Sequence, residues 1–156
     1  MLIAHAPAGY ILGRAAKVKR NVMLAVLLAS VLPDFDMLWF HLVDGGNVHH
    51  HRYWTHTPGF WMVIFALVLP VISVRKPQWL WPAALCFVAI LLHLLMDTFV
   101  GDIMWLWPFS TEFFHIVTVP KTHNNWVLSF VMHWSFLVEL LICAVALILF
   151  LRRPAK

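Results

Sequence analysis

Two stretches of the chain concentrate the side chains that could bind a metal ion or move protons. The shorter stretch contains His93 and Asp97. Imidazole nitrogen and carboxylate oxygen together suit zinc, and also manganese or iron, in a site that keeps a position for water. We therefore predict that the two stretches meet and hold a divalent transition metal. The longer stretch covers residues 32–56 and contributes Asp34, Asp36, His49, His50, His51 and His56.

The spacing within each stretch limits the chemistry. His93 and Asp97 are four residues apart, so on a helix both side chains leave the same face about one turn apart. They could be two ligands of one ion, or a histidine hydrogen-bonded to a carboxylate at a helix end. Asp34 and Asp36 could help to bridge two ions about 3.5–4 Å apart, or could form a solvated helix N-terminus. The sequence does not decide between one ion and two.

The histidine run needs separate treatment because three consecutive histidines cannot all point inward. His51 and His56 are the better candidates, and we interpret His49 and His50 as loop residues. Arg52, beside His51, could clamp a phosphate or carboxylate with two hydrogen bonds. It could equally anchor the loop to lipid headgroups.

The composition is that of a single membrane domain, residues 1–156. Hydrophobic residues make up 62% of the chain and mean hydropathy is +0.82, far above the usual apolar share of about 45–50%. The 11 basic residues are split into groups beside apolar segments, so we interpret them as topology signals and expect no nucleic-acid partner. Cys86 and Cys143 lie within apolar runs and are typical of small core residues.

The hydropathy pattern predicts an all-α, polytopic bundle of about four spans. The first covers residues 21–40, with a break or kink at Pro33, because proline lacks an N–H and clashes inside a helix. The next two cover residues 59–74 and 77–96, and the last covers 126–151, interrupted only by His133 and Glu139. Residues 102–125 form a long loop rich in aromatic and polar residues.

The basic residues also predict an orientation. Nine of them fall on one side of the four predicted spans, and only Arg52 and Lys121 fall on the other. The positive-inside rule then places both termini in the cytoplasm and the candidate site at the outer face. This topology leaves His5 on the cytoplasmic side, away from the site, and gives Glu139, in the last span, no place in it.

Five short motifs in a fixed order resemble the YdjM-like family of bacterial and archaeal membrane proteins, which are described as inner-membrane metal-dependent hydrolases. The resemblance covers residues 5–110. The motifs are His5 with Gly9, Leu32-Pro33-Asp34-Phe35-Asp36, His51-Arg52-Tyr53-Trp54-Thr55-His56, His93-Leu94-Leu95-Met96-Asp97-Thr98 with Gly101, and Trp107-Pro108-Phe109-Ser110.

The resemblance implies a ligand set and a location in the cytoplasmic membrane. If His5 is a ligand, residues 1–13 must reach the outer half of the bundle as a re-entrant, tilted or interfacial helix, or the first span must be arranged differently. A fainter likeness to the all-helical zinc phospholipases C lacks their His-x3-Glu pair and N-terminal Trp. The implied metal ligands are His5, Asp34, Asp36, His56, His93 and Asp97, with His51 and Arg52 as near neighbours.

Together these features predict a membrane-bound metal-dependent hydrolase with zinc as the favoured cofactor, in one or two copies. It would cleave an ester or phosphodiester of a lipid-linked substrate, with Arg52 steadying the developing negative charge and His51 or Asp36 moving protons. The alternatives are a metal-binding or transport protein without catalysis, and a structural membrane module whose histidines are incidental or bind haem.

Overall fold

The computed structural model describes residues 1–45 and 50–152. His49 lies outside the described residues. Within them the chain folds into α-helices joined by short 3₁₀ turns and loops, with one isolated antiparallel bridge between Ile103 and Phe114, so the predicted all-α class is confirmed. The helices are α1 (His5–Ala15), α2 (Arg20–Val31), α3 (Asp36–Leu42), α4 (Pro58–Arg75), α5 (Leu80–Thr98), α6 (Trp126–Val131) and α7 (Phe136–Leu151).

The break predicted at Pro33 is confirmed. α2 ends at Val31, a 3₁₀ turn covers Pro33–Phe35, and α3 leaves at an angle of 57° to α2. Proline fixes its own φ and cannot donate to the preceding turn, which ends the helix here. The bend places the carboxylates of Asp34 and Asp36 at a junction between two helices.

Within residues 1–45 and 50–152, the number of long apolar helices is smaller than the four spans predicted. Pro58–Arg75 and Pro77–Thr98 are each long and apolar enough to cross a membrane, and the bent pair Arg20–Val31 and Pro33–Leu42 would make a third. The predicted fourth span is wrong as one helix, because the chain breaks between α6 and α7. His133 Nδ1 and Ser135 Oγ lie 2.9 Å apart at that break. The remaining α7, about 24 Å long at 1.5 Å per residue, is shorter than the roughly 30 Å hydrocarbon core.

The core lies between α2, α4 and α5, and the outer faces of the helices are apolar. Val74 on α4 is 80% exposed and Leu141 on α7 is 64% exposed. Exposed aliphatic side chains of this kind fit a lipid environment. The buried cluster consists of Val26, Ala29, Trp61, Leu85, Ala89, Ile90 and Leu94.

The directions of α1, α2 and α7 bring the start of α1 to the end of the bundle that holds the candidate ligands. α1 runs antiparallel to α2, since Gly9 faces Ser30 and Gly13 faces Met23. α7 runs parallel to α1, because Glu139 contacts Ala4 while the ring of Phe150 lies 6.2 Å from that of Tyr10.

The expectation that His5 lies away from the site is therefore wrong. α1 begins at the site end and runs away from it, so Met1 and Leu151 lie at opposite ends of the bundle. The physical reason is that α1 folds back along α2 as a helix of its own instead of preceding the first span on the cytoplasmic side. The side of the membrane that each terminus faces stays a prediction.

Candidate metal centre

His93 and Asp97 lie on α5 with the geometry that their spacing predicts. Both are buried, and His93 Nε2 is 3.0 Å from Asp97 Oδ2. On the other side of the ring, His93 Nδ1 lies 2.8 Å from the carbonyl oxygen of Ser30 in α2. A carbonyl can only accept, so Nδ1 carries the proton and Nε2 presents its lone pair to the site. This is the usual way in which a metal-binding histidine is oriented.

His56 is held in a similar way from a different element. It ends the 3₁₀ turn Trp54–His56, is fully buried, and places Nδ1 2.5 Å from Asp36 Oδ2. Thr55 Oγ1 donates to the same carboxylate oxygen at 2.6 Å. The Nε2 atom of His56 therefore points at Asp34 Oδ1 and Asp97 Oδ2, each 3.6 Å away.

Four donor atoms, one each from Asp34, His56, His93 and Asp97, lie at distances from one another that can be compared with those of tetrahedral metal ligands. His56 Nε2 and His93 Nε2 are 3.5 Å apart, and His93 Nε2 lies 3.6 Å from Asp34 Oδ1. With the contacts to Asp97 above, five of the six donor–donor distances fall between 3.0 and 3.6 Å. Zinc bonds of about 2.0–2.1 Å put tetrahedral ligands about 3.3 Å apart, so these residues fit the ion.

Two further histidines lie against Asp97. His5 stacks on His93 with ring centroids 3.7 Å apart, and its Nε2 is 3.1 Å from Asp97 Oδ1. Both ring nitrogens of His5 are buried and make no hydrogen bond among the described residues. His51 Nε2 is 3.8 Å from Asp97 Oδ2.

Among the described residues the donors can also be grouped in a second way, as two overlapping sets that share Asp97. In each set the donor atoms lie within 4.8 Å of one another. A carboxylate common to both sets is compatible with one ion or with two. The sets are His5, Asp34, His93 and Asp97, and His51, His56 and Asp97.

The cluster strongly favours positive charge. Burial disfavours a charged imidazole, but hydrogen bonding to Asp34, Asp36 and Asp97 outweighs this and raises the pKa of His56 to about 10. The α-amino group of Met1 also contacts Asp97 Oδ1. A divalent cation supplies the charge that these carboxylates attract, and it must displace a proton from His56 to bind there.

Two of the predicted site residues lie outside both sets. Asp36 faces Nδ1 of His56, behind the ring, so the structure gives it the place of an orienting residue instead of the ligand position that the resemblance implies. Arg52 is exposed, with its guanidinium carbon 5.5 Å from the centroid of the Phe113 ring. The structure does not bring it into the cluster.

Glu139 is a residue that sequence reasoning could not place. It is fully buried on α7 and accepts the backbone N–H groups of Leu2, Ile3 and Ala4 at 2.7, 2.6 and 3.1 Å. These residues lead directly into His5, so Glu139 fixes the start of α1. The signal was present, because an ionisable group within an apolar segment marks a paired or functional position.

A cavity of about 310 Å³ adjoins the cluster on the side of His51. Asp34 is the most accessible of the four tetrahedral donors, with a side chain that is 35% exposed, whereas those of His56, His93 and Asp97 are at most 1% exposed. The site is thus closed around three donors and accessible at the fourth.

Fold and site define a class: an all-helical membrane protein with a buried cluster of histidines and aspartates that could hold metal. A model of the YdjM inner membrane protein family matches residues 1–155. The chain belongs to this family, and the match confirms the resemblance and extends it beyond residue 110. No curated protein and no solved structure matches the chain.

Proposed function

We propose that the chain is a membrane-bound, metal-dependent hydrolase that cleaves an ester or phosphodiester of a lipid-linked substrate. The observation that supports this most is the set of donor–donor distances of 3.0–3.6 Å among Asp34, His56, His93 and Asp97, next to a cavity that is lined by His51. The basic ends of the helices lie away from the site, and the positive-inside rule then puts the site at the outer face of the inner membrane.

The proposal separates the residues that would hold the ion from those that orient them. Asp34, His56, His93 and Asp97 would hold the ion, while the Ser30 carbonyl and Asp36 orient the two imidazole rings. When bound, a divalent ion supplies Lewis acidity and lowers the pKa of water towards neutrality. The protein excludes bulk water from three of the four donors and leaves the Asp34 corner accessible.

His51 is the residue that we assign to proton transfer. It is buried, lies 3.8 Å from Asp97 and lines the cavity. In hydrolysis the oxygen of water bonds to phosphorus or to the acyl carbon, and the bond to the leaving oxygen breaks. His51 takes a proton from the attacking water and returns it to the leaving alcohol.

Metal analysis and hydrolysis measured on the same samples test the proposal. The protein, purified in lipid nanodiscs, should contain zinc and hydrolyse p-nitrophenyl phosphate, bis-p-nitrophenyl phosphate or p-nitrophenyl butyrate. His93→Gln and Asp97→Asn should lose both the metal and the activity. His115→Gln and Asp102→Asn are matched controls, because these two exposed residues pair with each other at 2.8 Å in the loop. Wild-type metal content in His93→Gln would refute the site.

Metal binding without catalysis is the second candidate. Four protein donors already complete a tetrahedron, which is typical of structural zinc, whereas catalytic zinc usually keeps one position open. Zinc that depends on His93 and Asp97, with no hydrolysis of any of the three substrates, would favour this candidate. The donors cluster at one end of the bundle and do not line a route across it, which argues against transport.

A further inference from the structure

The cavity beside the cluster has a chemical character of its own. It lies between the start of the chain, the loop that follows α5, and α6, and is open on one side. Most of its wall is apolar and includes Leu2, Val119, Trp126 and Phe130. Its volume of about 310 Å³ is at the lower end of the range for small-molecule sites, roughly 300–1,000 Å³.

The polar side chains that line this cavity are His51, Lys121 and Ser129, and the Ser129 hydroxyl is hydrogen-bonded to the backbone of His123 and Asn125. His51 stands at the wall shared with the metal cluster, and Lys121 also lines the cavity. Lys121 is exposed and is the only lysine or arginine between Lys76 and Arg152. Arg52, the other basic residue that stands apart from the three basic groups of the chain, lies over the Phe113 ring. An ammonium group beside an apolar wall is complementary to an anionic head joined to a hydrocarbon chain.

Gly101 brings the cavity close to the cluster. A Cβ atom at this position would lie 2.4 Å from Cε1 and 2.9 Å from Nδ1 of His51. Only the absence of a side chain lets His51 stand between the cavity and Asp97. A ligand in the cavity is therefore next to a residue of the candidate centre.

We infer that this cavity binds an amphiphile with an anionic phosphate head, the head lying between His51 and Lys121 and the first part of the alkyl chain lying against Val119, Trp126 and Phe130. This inference rests on the proposed function, because it names the class of substrate that the proposed hydrolase would take. The small volume fits a single chain close to its head, and the rest of the chain would leave through the open side towards lipid.

Binding of non-hydrolysable probes tests the inference apart from catalysis. Alkylphosphonates with two to eight carbons would be titrated into the nanodisc-bound protein and followed by tryptophan fluorescence. Affinity should rise about fourfold for each methylene group that is buried, until the cavity is full. Alkyltrimethylammonium ions of equal length should not bind.

Two variants locate the probe. Val119→Trp fills the apolar wall and should remove the dependence on chain length, whereas Val117→Trp, two residues away on the same loop but outside the cavity wall, should leave it unchanged. Lys121→Gln should weaken phosphonate binding about tenfold at every chain length, the loss expected for a charged hydrogen bond. It does not alter the apolar wall, so it remains informative if Val119→Trp fails to fold.

The outcomes separate this inference from the proposed function. Chain-dependent phosphonate binding that is lost in Val119→Trp, without hydrolysis of any ester, would support the cavity and refute the hydrolase. Hydrolysis of p-nitrophenyl phosphate without chain-dependent binding would overturn the cavity assignment alone. Equal binding of phosphonate and trimethylammonium probes would also overturn it, because Lys121 would then select nothing.

Discussion

Gly9 on α1 packs directly against Ser30 of α2, and replacing it with alanine should disturb the metal centre from a distance. A Cβ atom at Gly9 would lie 2.7 Å from Ser30 Cβ and 2.4 Å from Ser30 Oγ. Ordinary van der Waals contact starts near 3.4 Å, so the carbon–carbon shortfall is 3.4 − 2.7, or about 0.7 Å. The two helices must separate by about that distance.

A displacement of this size is large for a metal site. Ligand distances must hold within about 0.2 Å, and the shift acts on His5, one turn before Gly9, and on the Ser30 carbonyl that orients His93. Disturbing an orienting group of a metal ligand usually costs 10–100-fold in affinity. We expect Gly9→Ala to lower zinc affinity by about that factor and to destabilise the fold by about 1–3 kcal/mol through overpacking.

Competition with a fluorescent chelator would measure the zinc affinity, and tryptophan fluorescence on heating would report stability. Gly13→Ala is the matched control, because its Cβ would meet Sδ and Cε of Met23, the far end of a flexible side chain that can rotate away. Ser30→Gly in the Gly9→Ala background should restore affinity, since it removes the atoms that clash and keeps the carbonyl. Wild-type zinc affinity in Gly9→Ala would refute the coupling between α1 and the centre.

Two further predictions follow from the placement of single residues. Asp34→Asn should remove most of the bound metal. Asp36→Asn should keep the metal but lower its affinity about 10–100-fold, because Asp36 contacts the far side of the His56 ring. Chelator competition on both variants measures the two affinities, and equal losses would show that Asp36 is a ligand. In whole cells, Lys121→Cys should react with a membrane-impermeant maleimide and Lys76→Cys should not, because they lie at opposite ends of the bundle; the reverse pattern would overturn the orientation that we propose.

The parts of the site that could be predicted from the sequence are those that depend on local geometry. A spacing of four residues on an apolar helix is sufficient to place His93 and Asp97 on one face, and the structure shows them 3.0 Å apart. The break at Pro33 depends only on the chemistry of proline. Both features arise within a few residues, where periodicity and sterics determine the result.

His5 shows why other parts could not be derived from composition. The apolar stretch before the basic cluster has no internal signal that says which end lies near the site. The placement of His5 depends on the close approach of α1 to α2 at Gly9. It also depends on the hydrogen bonds that the Glu139 carboxylate accepts from the backbone of Leu2, Ile3 and Ala4. The Glu139 contacts join residues more than one hundred positions apart, and only the family resemblance pointed to His5.

The break between α6 and α7 was missed for a related reason. Hydropathy averages over a window, and the apolar residues around His133 and Ser135 hide a local interruption. The two polar side chains contact each other at 2.9 Å, and α7 starts afresh after them. This restart places Glu139 in the first turn of α7, level with the N-terminal residues that it holds.

The remaining distinction, between the donors and the groups that orient them, is a property of the fold alone. In the sequence, Asp34 and Asp36 are equivalent carboxylates in one motif. In the structure one faces the common centre and the other holds His56, because the turn after Pro33 points the two side chains to different sides. Ser30 and Glu139 act in the same way on His93 and on the residues before His5. Three imidazole-bearing segments are thus fixed by contacts that do not involve a metal, so little ordering is left to oppose binding. Removing one orienting contact should therefore lower metal affinity while the fold persists, whereas removing Asp97, which both donor sets share, should abolish binding.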